Sequence, residues 1–192
     1  MRTKIIALIS FLFISAHANA MMFIEPSFAY AVSGKYEYNV TGVGAQSLDI
    51  GGYSGTLKLG WSTAGLSIGA LAKRGKSELK SGDNVAGYSW TTQYGAFIGY
   101  SLPIMLSFGV SYMLPPTQHS ESSYNGYTSS NLAFGVSYSI VPFVRLQVNY
   151  AMSMSPQVVT SGTGVDIPTG VYKEFSTNAI TVGLGVPIPL GF

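Results

Sequence analysis

Residues 180–192 read Ile180-Thr181-Val182-Gly183-Leu184-Gly185-Val186-Pro187-Ile188-Pro189-Leu190-Gly191-Phe192. Every even position is apolar, and every odd one is Thr, Gly or Pro. Successive side chains of a strand leave opposite faces, so this period predicts a strand with one greasy face.

Seven other stretches alternate in the same way: residues 22–32, 53–61, 66–73, 88–100, 104–114, 131–140 and 143–152. Most approach the roughly 9–11 residues that a tilted strand needs to cross a bilayer. The connections alternate in length. Residues 33–52, 74–87, 115–130 and 153–177 form long stretches rich in Gly, Ser, Asn and Tyr. Residues 62–65, 101–103 and 141–142 are short and carry Gly or Pro. Long and short connections in turn predict four hairpins with both termini on the short-turn side. The expected fold is all-β, an eight-stranded antiparallel transmembrane β-barrel. Closure pairs every backbone group and leaves no edge in lipid.

The first twenty residues read as a secretory signal peptide. Arg2 and Lys4 precede an apolar run from Ile5 to Ile14, and Ala18-Asn19-Ala20 is a small-x-small cleavage site. That run is too short to span a bilayer as a helix. The domain division is therefore signal peptide 1–20 and barrel 21–192. The barrel portion carries eight basic and eight acidic residues, so the net charge of +2 comes from Arg2 and Lys4. That balance argues against a nucleic-acid partner. Charged residues make up 9% of the chain, against roughly 25% in soluble domains, which favours a wall in lipid. With no Cys, neither a disulfide framework nor a lipoprotein anchor is possible.

Alternation alone does not say which face points outward. The less apolar face is mostly Gly, Ser, Ala and Thr, small enough for the lumen of an eight-stranded barrel. Aromatic residues of the apolar face gather near strand ends. Tyr30, Tyr53, Tyr88, Trp90, Tyr112 and Tyr150 lie toward the long loops. Trp61, Tyr100, Tyr138 and Phe192 lie toward the turns. Two aromatic girdles mark two membrane interfaces, so the greasy face is expected to meet lipid.

The signal peptide, the eight strands and the terminal Phe192 resemble the small outer-membrane barrels of the OmpA transmembrane-domain, OmpX and OmpW kind. The resemblance covers residues 22–192 and is architectural. It implies the bacterial outer membrane, lipid and lipopolysaccharide as surroundings, recognition of Phe192 by the barrel-assembly machinery as an assembly signal, and a monomer. One departure stands out. Pro187 and Pro189 lie within the terminal strand and cannot donate to a ladder, so one neighbour loses two bonds.

Three charged residues, Glu25, Lys58 and Arg145, fall on the inward face and in the turn-side half of their strands. They are expected to form a lumen ion cluster that plugs the barrel, because isolated charges there are costly. Lys73 and the following Arg74, Lys76 and Lys80 read as a solvated loop balanced by Glu78 and Asp83, with lipopolysaccharide phosphates as the alternative partner. His119-Ser120-Glu121 places three catalytic residue types side by side, too close in sequence for a nucleophile and its base to converge. No metal or cofactor motif occurs, and neither an enzyme nor a cofactor is expected. Two roles remain: a structural or surface-interaction barrel, or a narrow channel or OmpW-like transporter of small solutes. The small polar lumen favours the first.

Overall fold

The computed structural model describes residues 21–40, 44–81, 84–116, 118–122, 127–160, 163–166 and 172–190. The signal peptide and Phe192 lie outside them. Eleven strands follow in order: β1 (Met21–Val40), β2 (Gly44–Thr63), β3 (Leu66–Ser81), β4 (Asn84–Ser101), β5 (Leu106–Met113), β6 (Gln118–Ser122), β7 (Tyr127–Val141), β8 (Val144–Thr160), β9 (Thr163–Asp166), β10 (Tyr172–Gly185) and β11 (Ile188–Leu190). Eight of them close a ring in the order β10-β1-β2-β3-β4-β5-β7-β8, with β8 pairing back onto β10. The other three continue this wall: β6 pairs with β4, β9 with β8 and β11 with β1. All pairings are antiparallel.

The shear follows from the register. Directly opposed residues run from Met22 through Trp61, Ile68, Ile98, Val110, Phe134, Tyr150 and Ile180, and return to β1 at Ser33. The return point is eleven residues beyond Met22, and one of these is the bulged residue at position 32. A shear of ten remains. At about 4.8 Å between strands and about 3.3 Å per residue, eight strands so sheared tilt by about 40° around a backbone cylinder of about 8 Å radius. Each residue then climbs about 2.5 Å along the axis, and about ten cross an apolar band of about 25 Å.

The burial pattern is inside-out relative to a soluble barrel. Phe28, Tyr30, Leu57, Leu59, Trp61, Ile68, Tyr94, Ile98, Tyr100, Phe108, Phe134, Tyr138 and Leu184 all point outward and are exposed. Few apolar side chains are buried; Phe23, Leu71 and Met113 are among them. The girdle residues Tyr30, Tyr53, Trp61, Tyr100, Tyr112, Tyr138 and Tyr150 are likewise exposed, and Trp90 is half-buried. Water solvates such a belt poorly; lipid chains match it.

Three expectations need correction. Much of the stretches read as long loops is strand. β1 and β2 are 20 residues each, roughly twice what the apolar band needs, and β3 runs on to Ser81. Beyond the girdle the outer face meets water rather than lipid, so the exposed positions turn polar, as Lys35 and Glu37 do beside the buried Tyr36, while backbone pairing continues. Second, Ile104 and Met105 belong to the turn before β5 rather than to the strand. Met105 has a positive φ of 64°, and Leu102 N–H reaches back to the Leu106 carbonyl at 2.7 Å. Third, the basic stretch from Lys73 to Lys80 is the upper part of β3 and not a loop. The β2–β3 turn is the two-residue Ala64-Gly65, with φ of 47° and 84°, the type I′ signature whose twist suits a hairpin.

The prolines find a place. Pairing of β10 with β8 ends at Gly185 opposite Arg145. Below it the chain pairs only with β1, with Val186 N–H on the Pro26 carbonyl at 2.9 Å and Ile188 opposite Ile24. The side on which Pro187 and Pro189 lack donors faces the level where β8 has already turned at Pro142-Phe143. The ladder toward β8 has ended there, so little is lost.

Candidate functional site

Glu25 is the anchor of the lumen. Its side chain is 2% exposed. Lys58 Nζ donates to Oε1 at 3.0 Å, Arg145 to Oε2 at 3.0 Å and Gln147 Nε2 to Oε1 at 2.8 Å. Lys58 stands directly opposite Glu25 in the β1–β2 ladder. Arg145 and Gln147 reach over one intervening strand rather than across the whole lumen. β10 lies between, and its inward face there is Gly183 and Gly185. A Cβ on Gly185 would run into Gln147 Nε2 and come within 3.4 Å of Glu25 Oε1. The bare glycine is what lets β8 touch β1. The sequence points to the three charged residues; the part of Gln147 and of Gly185 appears only with the strand order.

A cavity of about 90 Å³ opens beside this cluster. It has room for a few waters, at about 30 Å³ each in the liquid. Its far wall is Ser67, Ser101, Ser107, Ser111 and Ser137. Small hydroxyl side chains there leave the room that the ions on the other wall do not use. Ser107 Oγ and Ser101 Oγ, flanking the Leu102–Met105 turn, bond at 2.9 Å. Toward the loops the character changes. Leu71, Met113 and Ala133 are buried together, with Phe97 and Ala151 packed on them. These five come from β3, β4, β5, β7 and β8, so an apolar cluster fills that side of the lumen toward the loops. Phe97 also meets Phe23 edge-on at 6.0 Å and lies 5.7 Å from Lys58 Nζ. Its ring occupies the space over Gly60, where a Cβ would approach within 3.0 Å.

A second group of charges lies on the outside. Arg74 is exposed and stands over the Trp90 ring at 6.0 Å. Lys76 lies directly between Tyr53 and Trp90 in the ladder, 5.0 Å from the Tyr88 ring, and pairs with Glu78 at 2.8 Å. Tyr53 in turn packs on Phe28 and, edge-on, on Trp90. Glu78, beyond the girdle, has its carboxyl held below the usual range. The Lys76 hydrogen bond is the main cause, helped by the charges of Lys76 and Lys80. Lys73 differs from its neighbours and points into the lumen, opposite Thr56 and Gln93.

His119, Ser120 and Glu121 occupy successive positions of β6, paired with β4; their side chains lie outside the description. Among the described residues no cluster of His, Cys, Asp or Glu could hold a metal ion.

No protein-family model matches this chain, and no curated protein does. Solved structures resemble it at low identity. Neisserial surface protein A shares 16% identity over 88% of this chain and 98% of its own, with a TM-score of 0.47. The outer membrane protease OmpT from Escherichia coli shares 12% over 88% and 97%, with a TM-score of 0.40. The toluene transporter TodX of P. putida shares 7% over 92% of each chain, with a TM-score of 0.23. Likeness at that level transfers none of their activities. The chain's own geometry, with eight antiparallel strands, a shear of ten, an apolar exterior and a polar interior, is that of a small outer-membrane β-barrel.

Proposed function

We propose that this chain is an integral barrel of the bacterial outer membrane with a structural or surface-interaction role. It works through its outer wall and loop-side rim rather than through a pore, as a non-enzymatic monomer. The observation that carries this reading is the filled lumen, with the apolar cluster of Leu71, Met113, Ala133, Phe97 and Ala151 toward the loops and the Glu25 ion cluster toward the turns. An interior of eight strands is just wide enough for side chains to fill. Planar-bilayer recording tests it directly: the purified barrel should show no steady conductance. Large steady currents would replace it with the narrow-channel reading, which the turn-side cavity favours. In that case Met113→Ser should raise the current further, because it removes part of the apolar cluster.

A further inference from the structure

We propose that the outer wall around Gly55 holds the phosphate-bearing headgroup of an outer-leaflet saccharolipid, with Arg74 and Lys76 as the phosphate ligands. The proposal rests on the outer-membrane reading above, with the long extensions facing outward.

Four observations converge. In the ladder, Phe28, Gly55, Arg74 and Thr92 stand side by side. Gly55 points outward and is exposed, and a Cβ there would meet nothing closer than the Ser27 carbonyl at 3.9 Å. It therefore leaves a recess between the Phe28 ring and the Arg74 side chain. The row above is Tyr53, Lys76 and Trp90, and the row below is Leu57 and Ala72. From turn side to loop side the recess thus passes from the apolar Leu57 and Ala72 to two rows in which aromatic rings and cations stand together. That matches acyl chains on the turn side and a phosphorylated sugar on the loop side in a lipid of this leaflet.

The charge argues in the same direction. Within the apolar belt, the strand charges Glu25, Lys58, Lys73 and Arg145 all point inward. Arg74 is the first outward one on β3, one row inside the girdle. Among the described residues it has no carboxylate partner; it leans on Trp90 instead. An outward cation on the lipid face destabilises a barrel, least near the interface. A phosphate answers that charge, and a guanidinium binds it through two parallel hydrogen bonds. Lys76, one row further out, adds a second cation; Glu78 holds only one of its donors.

Trp90 reports on the site from within it. In a Trp61→Phe background it is the sole tryptophan. The barrel is placed in phosphatidylcholine vesicles, and diphosphoryl lipid A is titrated while Trp90 emission is read. Saturable binding is expected, weakened about tenfold or more by Arg74→Gln with Lys76→Gln. Gly55→Leu should also weaken binding; it fills the recess yet meets open space on a lipid-facing strand, so the barrel still folds. Lys35→Gln, on the outer wall away from the recess, should change nothing. Equal affinity for dephosphorylated lipid A, or for the double variant, overturns the proposal. Competition by inorganic phosphate alone would assign the cations to a free anion and overturn the lipid source. Failure of the wild type to enter plain phosphatidylcholine vesicles would instead sink the membrane reading itself.

Discussion

The lumen and the outer wall each hold a small set of charges, and the two sets are built in opposite ways. Inside, one carboxylate, 2% exposed, takes three donors from two other strands. Outside, two cations rest on aromatic faces at the girdle, and their single carboxylate, Glu78, is about a quarter exposed. The interior cluster has only a small cavity to fall back on, so removing a member leaves a charge poorly compensated. The exterior pair has water and headgroups beside it, and a surface pair is worth little to folding. Charge within the barrel therefore belongs to stability, and charge on its wall belongs to what surrounds it.

The sharpest way to break this contrast is Glu25→Ala. Two cations lose their shared partner, and a cost of about 3 kcal/mol is expected, near the lower end for a broken buried pair because cavity water reaches both. Melting in detergent, followed by the heat-dependent mobility shift on gels, measures it. An unchanged midpoint would mean that the interior charges are as independent as the exterior ones. Gly185→Val should cost less, about 1–3 kcal/mol, as an overpacking change that pushes Gln147 off Glu25 while leaving Lys58 in place. If Gly185→Val matched Glu25→Ala, the reach of β8 over β10 would be the main support of the cluster.

On the wall the expected effects shrink. Arg74→Gln should shift folding stability by no more than about 0.5 kcal/mol, as surface changes do. A larger loss in lipid-free detergent would show that Arg74 holds the strands together rather than a headgroup. The smallest effect belongs to Glu78→Gln. The folded carboxyl titrates below its unfolded value, so any stability from its pairing is present above the ordinary carboxylate range and is lost as pH falls through the lowered value. Melting of the wild type and of Glu78→Gln should therefore coincide in acid and separate only slightly at neutral pH. A wide neutral gap would mean that the exterior pair also carries the fold.

Much of the barrel was legible because lipid outside and a narrow lumen inside impose period two on the crossing residues. The same cause explains where legibility ended. Residues 33–40 and 77–81 continue β1 and β3 past the girdle, where lipid no longer lies outside. In β1 the bulged residue at 32 also reverses the phase, so Lys35 and Glu37 face out and Tyr36 is buried, and the stretch reads as loop. Arg74 is the instructive case: its type suggested a solvated loop, and only the register with Gly55 places it on the wall beside a recess. Within the lumen, Glu25, Lys58 and Arg145 could be grouped by phase and height. The contribution of Gly185 could not, because it depends on β10 lying between β8 and β1, which is a property of closure and not of any one segment.

The prolines near the C-terminus bear on how the barrel closes. A ring of strands has one seam that joins the two ends of the chain, here β1 with β10 and β11. Before closure the last strand is an edge, and an edge will pair with any strand that arrives. From Val186 onward this edge has donors on one side only. Val186 and Ile188 offer N–H groups toward β1, while Pro187 and Pro189 offer none the other way. The end of the chain is therefore a one-sided fastener. It accepts the first strand of its own barrel, and it presents to a neighbouring chain a margin that offers carbonyl acceptors but no N–H donor at those positions.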